Sequence, residues 1–146
     1  METVSEILAE KGAEVFSVRP GSTVVEAVDE MCRRHVGAML VCEDGRPLGM
    51  FSERDLMTRV VLRRRDAAAT RVDDVMTREV AGVGTDATVT EAMAVMTQRR
   101  CRHLPVMREG RVVGVVSIGD LVRHASRHQE YEIRMLHDYV LGKYPG

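Results

Sequence analysis

Two serine–aspartate pairs carry the residue types in this sequence that are best suited to binding a small polar ligand. Ser52 precedes Asp55 by three positions, and Ser117 precedes Asp120 by the same spacing. Each pair follows a short apolar run that begins with a glycine three residues before the serine. This pattern predicts a strand that leads directly into a helix, with serine and aspartate in the first helical turn.

Such a strand-to-helix junction supports two interpretations. In the first, the serine oxygen accepts a backbone N–H and the acid reaches back, forming a capping box in which the cap contributes ~1 kcal/mol. In the second, the helix N-terminus and the serine hydroxyl bind phosphate, while the carboxylate accepts two hydrogen bonds from a ribose diol. The preceding glycine would then let the ligand approach the backbone. Two copies in register favour the ligand site.

The two pairs belong to an internal repeat with a constant offset of 65 residues. The segment TVVEA at 23–27 corresponds to TVTEA at 88–92, and no gap is needed from Glu14 to Leu56. The chain is therefore a duplicated unit. Its two halves are expected to pack about a pseudo-twofold axis.

Each repeat predicts a strand, a helix, a strand hairpin and a final helix. The expected elements of the first repeat are a strand over 14–18, a helix from about 23, strands over 38–42 and 47–51, and a helix from Ser52. Those of the second are a strand over 79–83, a helix from about 89, a hairpin over 103–116 and a helix from Ser117. A short helix over 3–8 precedes the first repeat, and residues 63–71 form the linker.

The composition is that of an ordinary globular chain. Of 146 residues, 45% are hydrophobic and 29% charged, and the net charge is −1. A charge near zero and an aromatic content of 3% give no support for binding nucleic acid or an anionic membrane. No apolar run approaches the ~20 residues of a membrane span, and the N-terminus lacks a secretory signal pattern. Three scattered cysteines favour a cytoplasmic protein with reduced thiols.

Histidine and cysteine positions give little support for a metal or catalytic site. His124 and His128 share the helical i, i+4 spacing that can present two metal ligands. No cysteine or acidic residue lies at a zinc-like spacing from them, and no serine, histidine and acid follow a catalytic order. We therefore predict no metal, no catalytic residue and no enzyme activity.

The motifs Gly49 to Asp55, Gly114 to Asp120 and Arg102 to Val106 (RHLPV) resemble those of cystathionine β-synthase (CBS) domains. The chain looks like a tandem CBS pair, or Bateman module, closest to small stand-alone bacterial proteins. The resemblance runs from about Val4 to His128. It implies an α/β (α+β) fold with a duplicated β-α-β-β-α unit and a C-terminal helical tail. The expected boundaries are 1–66 and 67–128 for the two repeats and 129–146 for the tail.

The resemblance also implies adenosine-containing ligands, namely AMP, ADP, ATP, NAD or S-adenosylmethionine, and no catalytic cofactor. Its ligand sites would be two clefts built from both repeats. One cleft would use Met50, Ser52, Arg54 and Asp55 with Ala81, Arg102 and His103. The other would use Val115, Ser117, Gly119 and Asp120 with Lys11, Phe16, Gly37 and Ala38.

The resemblance assigns a role to each class of residue in these clefts. Asp55 and Asp120 would hold ribose, apolar strand residues would cover adenine, and phosphate would meet the serines, Arg54 and Arg102 or His103. The two clefts are not equivalent, since Gly37-Ala38 stands where the second repeat has Arg102-His103. We therefore predict unequal affinities.

The function predicted from these observations is a regulatory module that senses nucleotide or energy state. The resemblance implies a homodimer, and the module would act on a regulated protein whose identity is unknown. The alternative is a ligand-free structural or interaction protein that acts through dimerisation. The apolar stripe of the tail would then supply the contact surface, with Ile133, Leu136, Val140 and Leu141 on one face.

Overall fold

The computed structural model describes residues 2–128 and divides them into two compact units. The first-repeat unit comprises residues 15–80 and 109–112. The second-repeat unit comprises residues 2–14, 81–108 and 113–128. The predicted helical tail, with its apolar stripe, lies outside the described residues.

The first-repeat unit contains a three-stranded sheet in the order β1-β2-β3. Its strands are β1 (Ser17–Val18), β2 (Ala38–Glu43) and β3 (Arg46–Ser52). Strand β2 is parallel to β1 and antiparallel to β3, and Ala38 lies opposite Ser52. The helical elements are α2 (Val24–Arg34), α3 (Glu53–Asp55), a π-helical segment (Leu56–Val61) and a 3₁₀ turn (Val72–Asp74).

The second-repeat unit repeats this arrangement. Its sheet has the order β4-β5-β6, with β4 parallel to β5. The strands are β4 (Val83–Gly84), β5 (His103–Arg108) and β6 (Arg111–Ser117), and the helices are α1 (Val4–Lys11), α4 (Val89–Arg99) and α5 (Ile118–His128). The predicted α/β (α+β) class with a duplicated β-α-β-β-α unit is confirmed.

The helices begin where the sequence places good N-caps. The Thr23 hydroxyl accepts the Glu26 N–H at 3.1 Å, and Glu26 reaches back to Thr23, forming a capping box at the start of α2. The Thr88 hydroxyl accepts the Glu91 N–H at 3.1 Å at the start of α4. These bonds satisfy amide groups that the first helical turn leaves without a partner.

Each unit has its own apolar core. The first-repeat core consists of Val24, Ala27, Met31, Met39, Val41, Phe51, Val60, Val72, Val75 and Met76. The second-repeat core consists of Val4, Ile7, Leu8, Val83, Ala87, Val89, Ala92, Met96, Leu104, Val106, Val116 and Leu121. Helix α1 therefore packs into the core of the second repeat, and the 3₁₀ turn that follows the linker packs into the core of the first.

Backbone hydrogen bonds attach both segments to the start of a repeat helix. In the second-repeat unit, the Val4 N–H donates to the Ala87 carbonyl at 2.9 Å, and the Val89 N–H donates to the Glu2 carbonyl at 3.1 Å. The predicted boundaries 1–66 and 67–128 follow the order of the repeats along the chain, whereas the compact units follow these long-range contacts.

The first-repeat unit makes the equivalent pair of backbone bonds. The Val72 N–H donates to the Ser22 carbonyl at 2.7 Å, and the Val24 N–H donates to the Thr70 carbonyl at 2.9 Å. Each repeat is thus completed by a segment that precedes the other repeat in sequence.

Three predicted elements differ from the structure in extent. The strands expected over 14–18 and 79–83 are limited to Ser17–Val18 and Val83–Gly84, because only two residues of each pair with the neighbouring parallel strand. The helix expected from Ser52 becomes π-helical after Asp55, and the Leu62 N–H donates to the Met57 carbonyl five residues earlier at 3.0 Å. Within residues 2–128, no helix has the length and apolar content needed to cross a bilayer.

Candidate functional site

The first-repeat junction is a capping box formed by Ser52 and Asp55. The Asp55 Oδ2 accepts the Ser52 N–H at 3.0 Å and the Ser52 hydroxyl at 3.1 Å, and the Asp55 N–H donates to the Ser52 Oγ at 3.2 Å. Asp55 is only 6% exposed. A carboxylate this buried is stabilised chiefly by its hydrogen bonds, so the loss of any one partner would destabilise its charged form.

The second-repeat junction has the same geometry. The Asp120 Oδ2 accepts the Ser117 N–H at 2.8 Å, and the Asp120 N–H donates to the Ser117 Oγ at 3.1 Å. Asp120 is also 6% exposed. The capping interpretation therefore holds at both junctions. Capping does not consume all the acceptor positions of either carboxylate, so it does not compete directly with ligand binding.

The glycine that both repeats have three residues before the serine has a different cause from the one predicted. A Cβ atom on Gly49 would lie 2.5 Å from the Met76 Sδ and 2.7 Å from the Thr77 carbonyl oxygen. A Cβ atom on Gly114 would lie 2.6 Å from the Leu8 Cδ1. The expectation that these glycines leave room for a ligand is wrong, because the segment that completes each unit fills the space.

Thr77 and Arg59 contact the other oxygen of Asp55. The Thr77 hydroxyl donates to Asp55 Oδ1 at 3.1 Å, and the Arg59 Nε lies 3.6 Å from the same atom. Thr77 is fixed by two backbone bonds to Met50, at 2.8 and 2.9 Å, and the Arg59 guanidinium donates to the Met76 carbonyl at 2.7 Å. Asp55 thus links its own helix to the segment that completes the unit.

Two basic side chains contact Asp120. The Lys11 Nζ donates to Asp120 Oδ2 at 2.6 Å and to the Val115 carbonyl at 2.9 Å, and the Arg123 guanidinium donates to Asp120 Oδ1 at 2.7 Å. Burial alone would raise the pKa of the Asp120 carboxyl. The hydrogen bonds from Lys11 and Ser117 outweigh burial and hold that pKa below its usual range.

A cavity of about 140 Å³ lies beside Asp120, lined by Ile7, Glu10, Lys11, Asp120, Arg123 and His124. Taken alone, it is smaller than the ~300 Å³ at which small-molecule pockets begin. His124 occupies the repeat position of Arg59, and its Nε2 lies 2.9 Å from the Glu2 Oε2 and 3.8 Å from the Glu6 Oε2. Among residues 2–128, no three His, Cys, Asp or Glu side chains are grouped closely enough to hold a metal ion.

The starts of β2 and β5 face the two junctions within their own units. The Glu53 N–H donates to the Gly37 carbonyl at 2.9 Å, and the Ile118 N–H donates to the Arg102 carbonyl at 2.8 Å. A Cβ atom on Gly37 would lie 3.2 Å from the Glu53 carboxyl carbon. In the first repeat, the acidic Glu53 side chain therefore lies against a glycine. At the equivalent positions, the second repeat has Ile118 and an exposed arginine, Arg102.

His103 adds an ionisable group to the second-repeat junction. It is half-buried, and burial lowers the pKa of its imidazole. The charges of Lys11 and Arg102 lower this pKa further, while Asp120 opposes them. The imidazole therefore favours the neutral form, in which one nitrogen is a donor and the other an acceptor.

The remaining predicted site residues are placed as follows. Phe16 packs against the first-repeat core, and the Arg34 guanidinium lies 4.0 Å from its ring centroid. Ala81 packs against the second-repeat core, Ala38 lies opposite Ser52, Arg54 is exposed, and Gly119 follows Ile118 in the first turn of α5. The grouping of residues from both repeats into shared clefts stays a prediction.

Three residues at the junctions were absent from the predicted sites. Arg59 and Arg123 lie four and three positions after their aspartates, a helical spacing that brings side chains together and could have identified them. Thr77 is 22 positions from Asp55, and no local pattern indicates their contact.

Comparison with known proteins matches the CBS domain twice, to residues 4–62 and 72–127. The mitochondrial CBS domain-containing protein CBSX3 of Arabidopsis thaliana is 32% identical over 151 residues, covering 97% of this chain and 73% of that protein. The solved structure of a putative signal-transduction protein with CBS domains from Burkholderia ambifaria is 38% identical, with a TM-score of 0.78 and coverage of 87% of this chain and 96% of that chain.

A more distant solved structure shares the fold at 18% identity, with a TM-score of 0.73 and coverage of 88% of this chain and 98% of that chain. It is a CBS domain pair in complex with 5′-methylthioadenosine and S-adenosyl-L-methionine. The double match, the duplicated sheets and the paired Ser-x-x-Asp junctions agree with one another, and the chain belongs to the CBS domain family, with two CBS domains in tandem.

Proposed function

We propose that this chain is a regulatory module that binds adenosine-containing ligands at its two Ser-x-x-Asp junctions. The observation that carries the proposal is a buried carboxylate at the start of a helix in each unit, held by the serine three residues earlier. The CBS pair solved with two adenosine compounds supports this ligand class by analogy of fold. The ligands to test are AMP, ADP, ATP, NAD and S-adenosylmethionine.

The chemistry of each junction suits a ribose with a phosphate attached. A carboxylate can accept one hydroxyl of a ribose diol on each oxygen, and amide groups at a helix N-terminus attract phosphate. At the second-repeat junction, Lys11, His103 and Arg123 add donors close to Asp120. Such groups bind and orient a ligand, so the activity that we propose is ligand binding and no chemical reaction.

Regulation follows from the residues that contact the carboxylates. Lys11 lies at the end of α1 and Thr77 follows the 3₁₀ turn, so both belong to segments that complete a core. A ligand that hydrogen-bonds to Asp55 or Asp120 would replace the contacts that these segments make with the two carboxylates. It shifts the conformational equilibrium only by the difference in its affinity for the two arrangements. The homodimer, its regulated partner and a cytoplasmic location remain predictions from the sequence.

One observation favours the alternative of a ligand-free structural or interaction protein. Both aspartates already have partners within the chain, in the capping boxes and in Thr77 or Lys11. These contacts explain the serine and aspartate shared by the two repeats as structural elements.

Calorimetric titration distinguishes the two functions. The unmodified chain, Asp55→Ala and Asp120→Ala are titrated with AMP, ATP, NAD and S-adenosylmethionine. We expect at least one ligand to bind, and each substitution to weaken binding at its own junction by about tenfold or more, since a hydrogen bond to a charged group is lost.

Asp29→Asn is the matched control, because Asp29 is an exposed acid whose ion pair with Arg33 lies on the surface of α2. Circular dichroism melts confirm that all variants are folded. If no adenosine compound binds the unmodified chain at millimolar concentration, the regulatory function is wrong and the structural alternative is supported.

A further inference from the structure

The two carboxylates differ in the charge of the residue that reaches them from a distant segment. Asp55 Oδ1 accepts a hydrogen bond from the neutral Thr77 hydroxyl at 3.1 Å. Asp120 Oδ2 accepts a hydrogen bond from the Lys11 ammonium at 2.6 Å. Both capping boxes pair a serine with the aspartate three residues later, so the charge of the distant partner is one feature that separates the chemistry of the two sites.

The hydrogen bonds that Asp120 already accepts determine which group a ribose must displace. A carboxylate oxygen has two acceptor positions, and Asp120 Oδ2 already accepts the Ser117 N–H at 2.8 Å and the Lys11 ammonium. The other oxygen accepts Arg123 at 2.7 Å. A diol that places one hydroxyl on each oxygen must therefore take the position of Lys11, because the Ser117 N–H is fixed in the backbone.

The equivalent exchange at Asp55 displaces the neutral Thr77 hydroxyl from Oδ1, while the Arg59 Nε lies 3.6 Å from the same oxygen. The Asp55 Oδ2 accepts the Ser52 N–H and the Ser52 hydroxyl, and Oδ1 accepts the Thr77 hydroxyl. A ligand hydroxyl can replace a protein hydroxyl with little change in electrostatic energy. Charge-assisted hydrogen bonds are roughly twice as strong as neutral ones, so replacing Lys11 by a hydroxyl costs more.

A phosphate on the same ligand offsets this cost. The Lys11 ammonium has three N–H donors, and the Val115 carbonyl at 2.9 Å and Asp120 account for two of them. Its side chain is 37% exposed, so the ammonium has room to turn toward an incoming anion. The charges of Lys11 and Arg102 both lower the pKa of the His103 imidazole, so two further potential donors lie near this junction. An uncharged adenosine compound supplies no anion for the displaced ammonium.

We propose that Lys11 makes the Asp120 site selective for adenosine compounds that carry a phosphate. This inference rests on the proposed function and specifies the ligand class of one of its two sites. Lys11 is therefore a specificity-determining residue that exchanges Asp120 for the phosphate when the ligand binds. Thr77, its counterpart at Asp55, exerts no such selection.

The test compares AMP with adenosine in the Asp55→Ala background, in which the Asp120 site is the one left intact. We expect AMP to bind about tenfold more tightly than adenosine, the ratio that one charge-assisted hydrogen bond provides. In Asp55→Ala/Lys11→Met, this ratio falls to about twofold or less, and adenosine binds at least as tightly as before. Lys11→Arg, which keeps the charge, retains most of the preference.

Thr77→Ala in the Asp120→Ala background is the matched control, and we expect it to change AMP and adenosine binding by similar factors. Thermal melts exclude unfolding of α1 as the cause of any loss. An AMP-to-adenosine ratio that survives Lys11→Met overturns the inference while leaving the proposed function intact. The same conclusion follows if the unmodified chain binds AMP but Asp55→Ala does not. No binding of either ligand to the unmodified chain contradicts the proposed function itself.

Discussion

The Asp55 and Asp120 junctions have the same capping geometry and different long-range partners. Both aspartates are 6% exposed and bonded to a serine three residues earlier. Asp55 meets a threonine hydroxyl, and Asp120 meets a lysine ammonium. The two repeats therefore share the local helix start, while the segment that completes each unit brings a neutral group to one aspartate and a charged group to the other.

The packing of the two junction helices provides the largest expected difference. Leu121 is fully buried in the second-repeat core, whereas Leu56, its repeat counterpart, is only partly buried against the first. We expect Leu121→Ala to lower the free energy of unfolding by about 2–5 kcal/mol, because it leaves a cavity in a closed core. Leu56→Ala should cost roughly 1–2 kcal/mol, in proportion to its smaller buried area.

Urea denaturation of both variants measures this difference. Exposed Leu62, at 74% relative exposure, supplies a control, and Leu62→Ala should change stability little. Equal losses for Leu121→Ala and Leu56→Ala would contradict the packing difference between the two repeats.

Substituting the junction glycines overpacks the two units to different degrees. Gly49→Ala would drive its methyl group against both the Met76 side chain and the Thr77 carbonyl, and a backbone atom cannot easily yield. The atoms nearest to an added methyl group at Gly114 all belong to the Leu8 side chain, which can change rotamer. We expect a loss of roughly 2–3 kcal/mol for Gly49→Ala and about 1 kcal/mol for Gly114→Ala.

Gly84→Ala is the control, because no atom lies within 4 Å of the added Cβ. Differential scanning calorimetry of the three variants gives the order of melting temperatures. A Gly114→Ala protein that is less stable than Gly49→Ala would show that Leu8 is held more rigidly than the Thr77 backbone.

Acid pH tests the charge difference directly and is expected to have the smallest effect. The pKa of Asp120 is lowered in the folded state, so its contribution to stability is complete above the unfolded pKa of about 4. This contribution is lost as pH falls through the folded value, because the unfolded chain takes up the proton first. We therefore expect stability to decrease below about pH 4, and to decrease less steeply in Asp120→Asn.

Urea midpoints between about pH 5 and 3 measure this slope. Asp73→Asn removes a second carboxyl whose pKa is lowered, in the first-repeat unit, and serves as a comparison for the acid slope. The pKa of Asp73 is also lowered, with burial opposed by the Gly21 N–H and by Arg71. If Asp120→Asn leaves the acid slope unchanged, the ion pair with Lys11 does not contribute to stability as inferred.

Much of the fold could be predicted because its signals are local. The alternation and turn residues around Asp44-Gly45 indicate a hairpin, and Thr23 with Glu26 indicates a capped helix. Short parallel strands were overestimated, since the extent of β1 and β4 depends on how many residues reach a neighbouring strand. The π-helical segment after Asp55 has no local sequence signal.

In the candidate site too, local contacts could be predicted and long-range contacts could not. Ser52, Asp55, Ser117 and Asp120 were recognisable from spacing, because the first helical turn brings residues three apart together. The contacts of Asp55 with Thr77 and of Asp120 with Lys11 span 22 and 109 positions, so only the folded chain brings them together. The role of the junction glycines was misread for the same reason.

The duplication, the order of the elements and the capping of each junction helix follow from neighbours within a few residues, so they could be predicted without coordinates. The segment that completes each core and the charge that reaches each aspartate are visible only in the folded chain. Both depend on apolar burial and ion pairing between residues far apart in the chain, and no local pattern indicates such contacts.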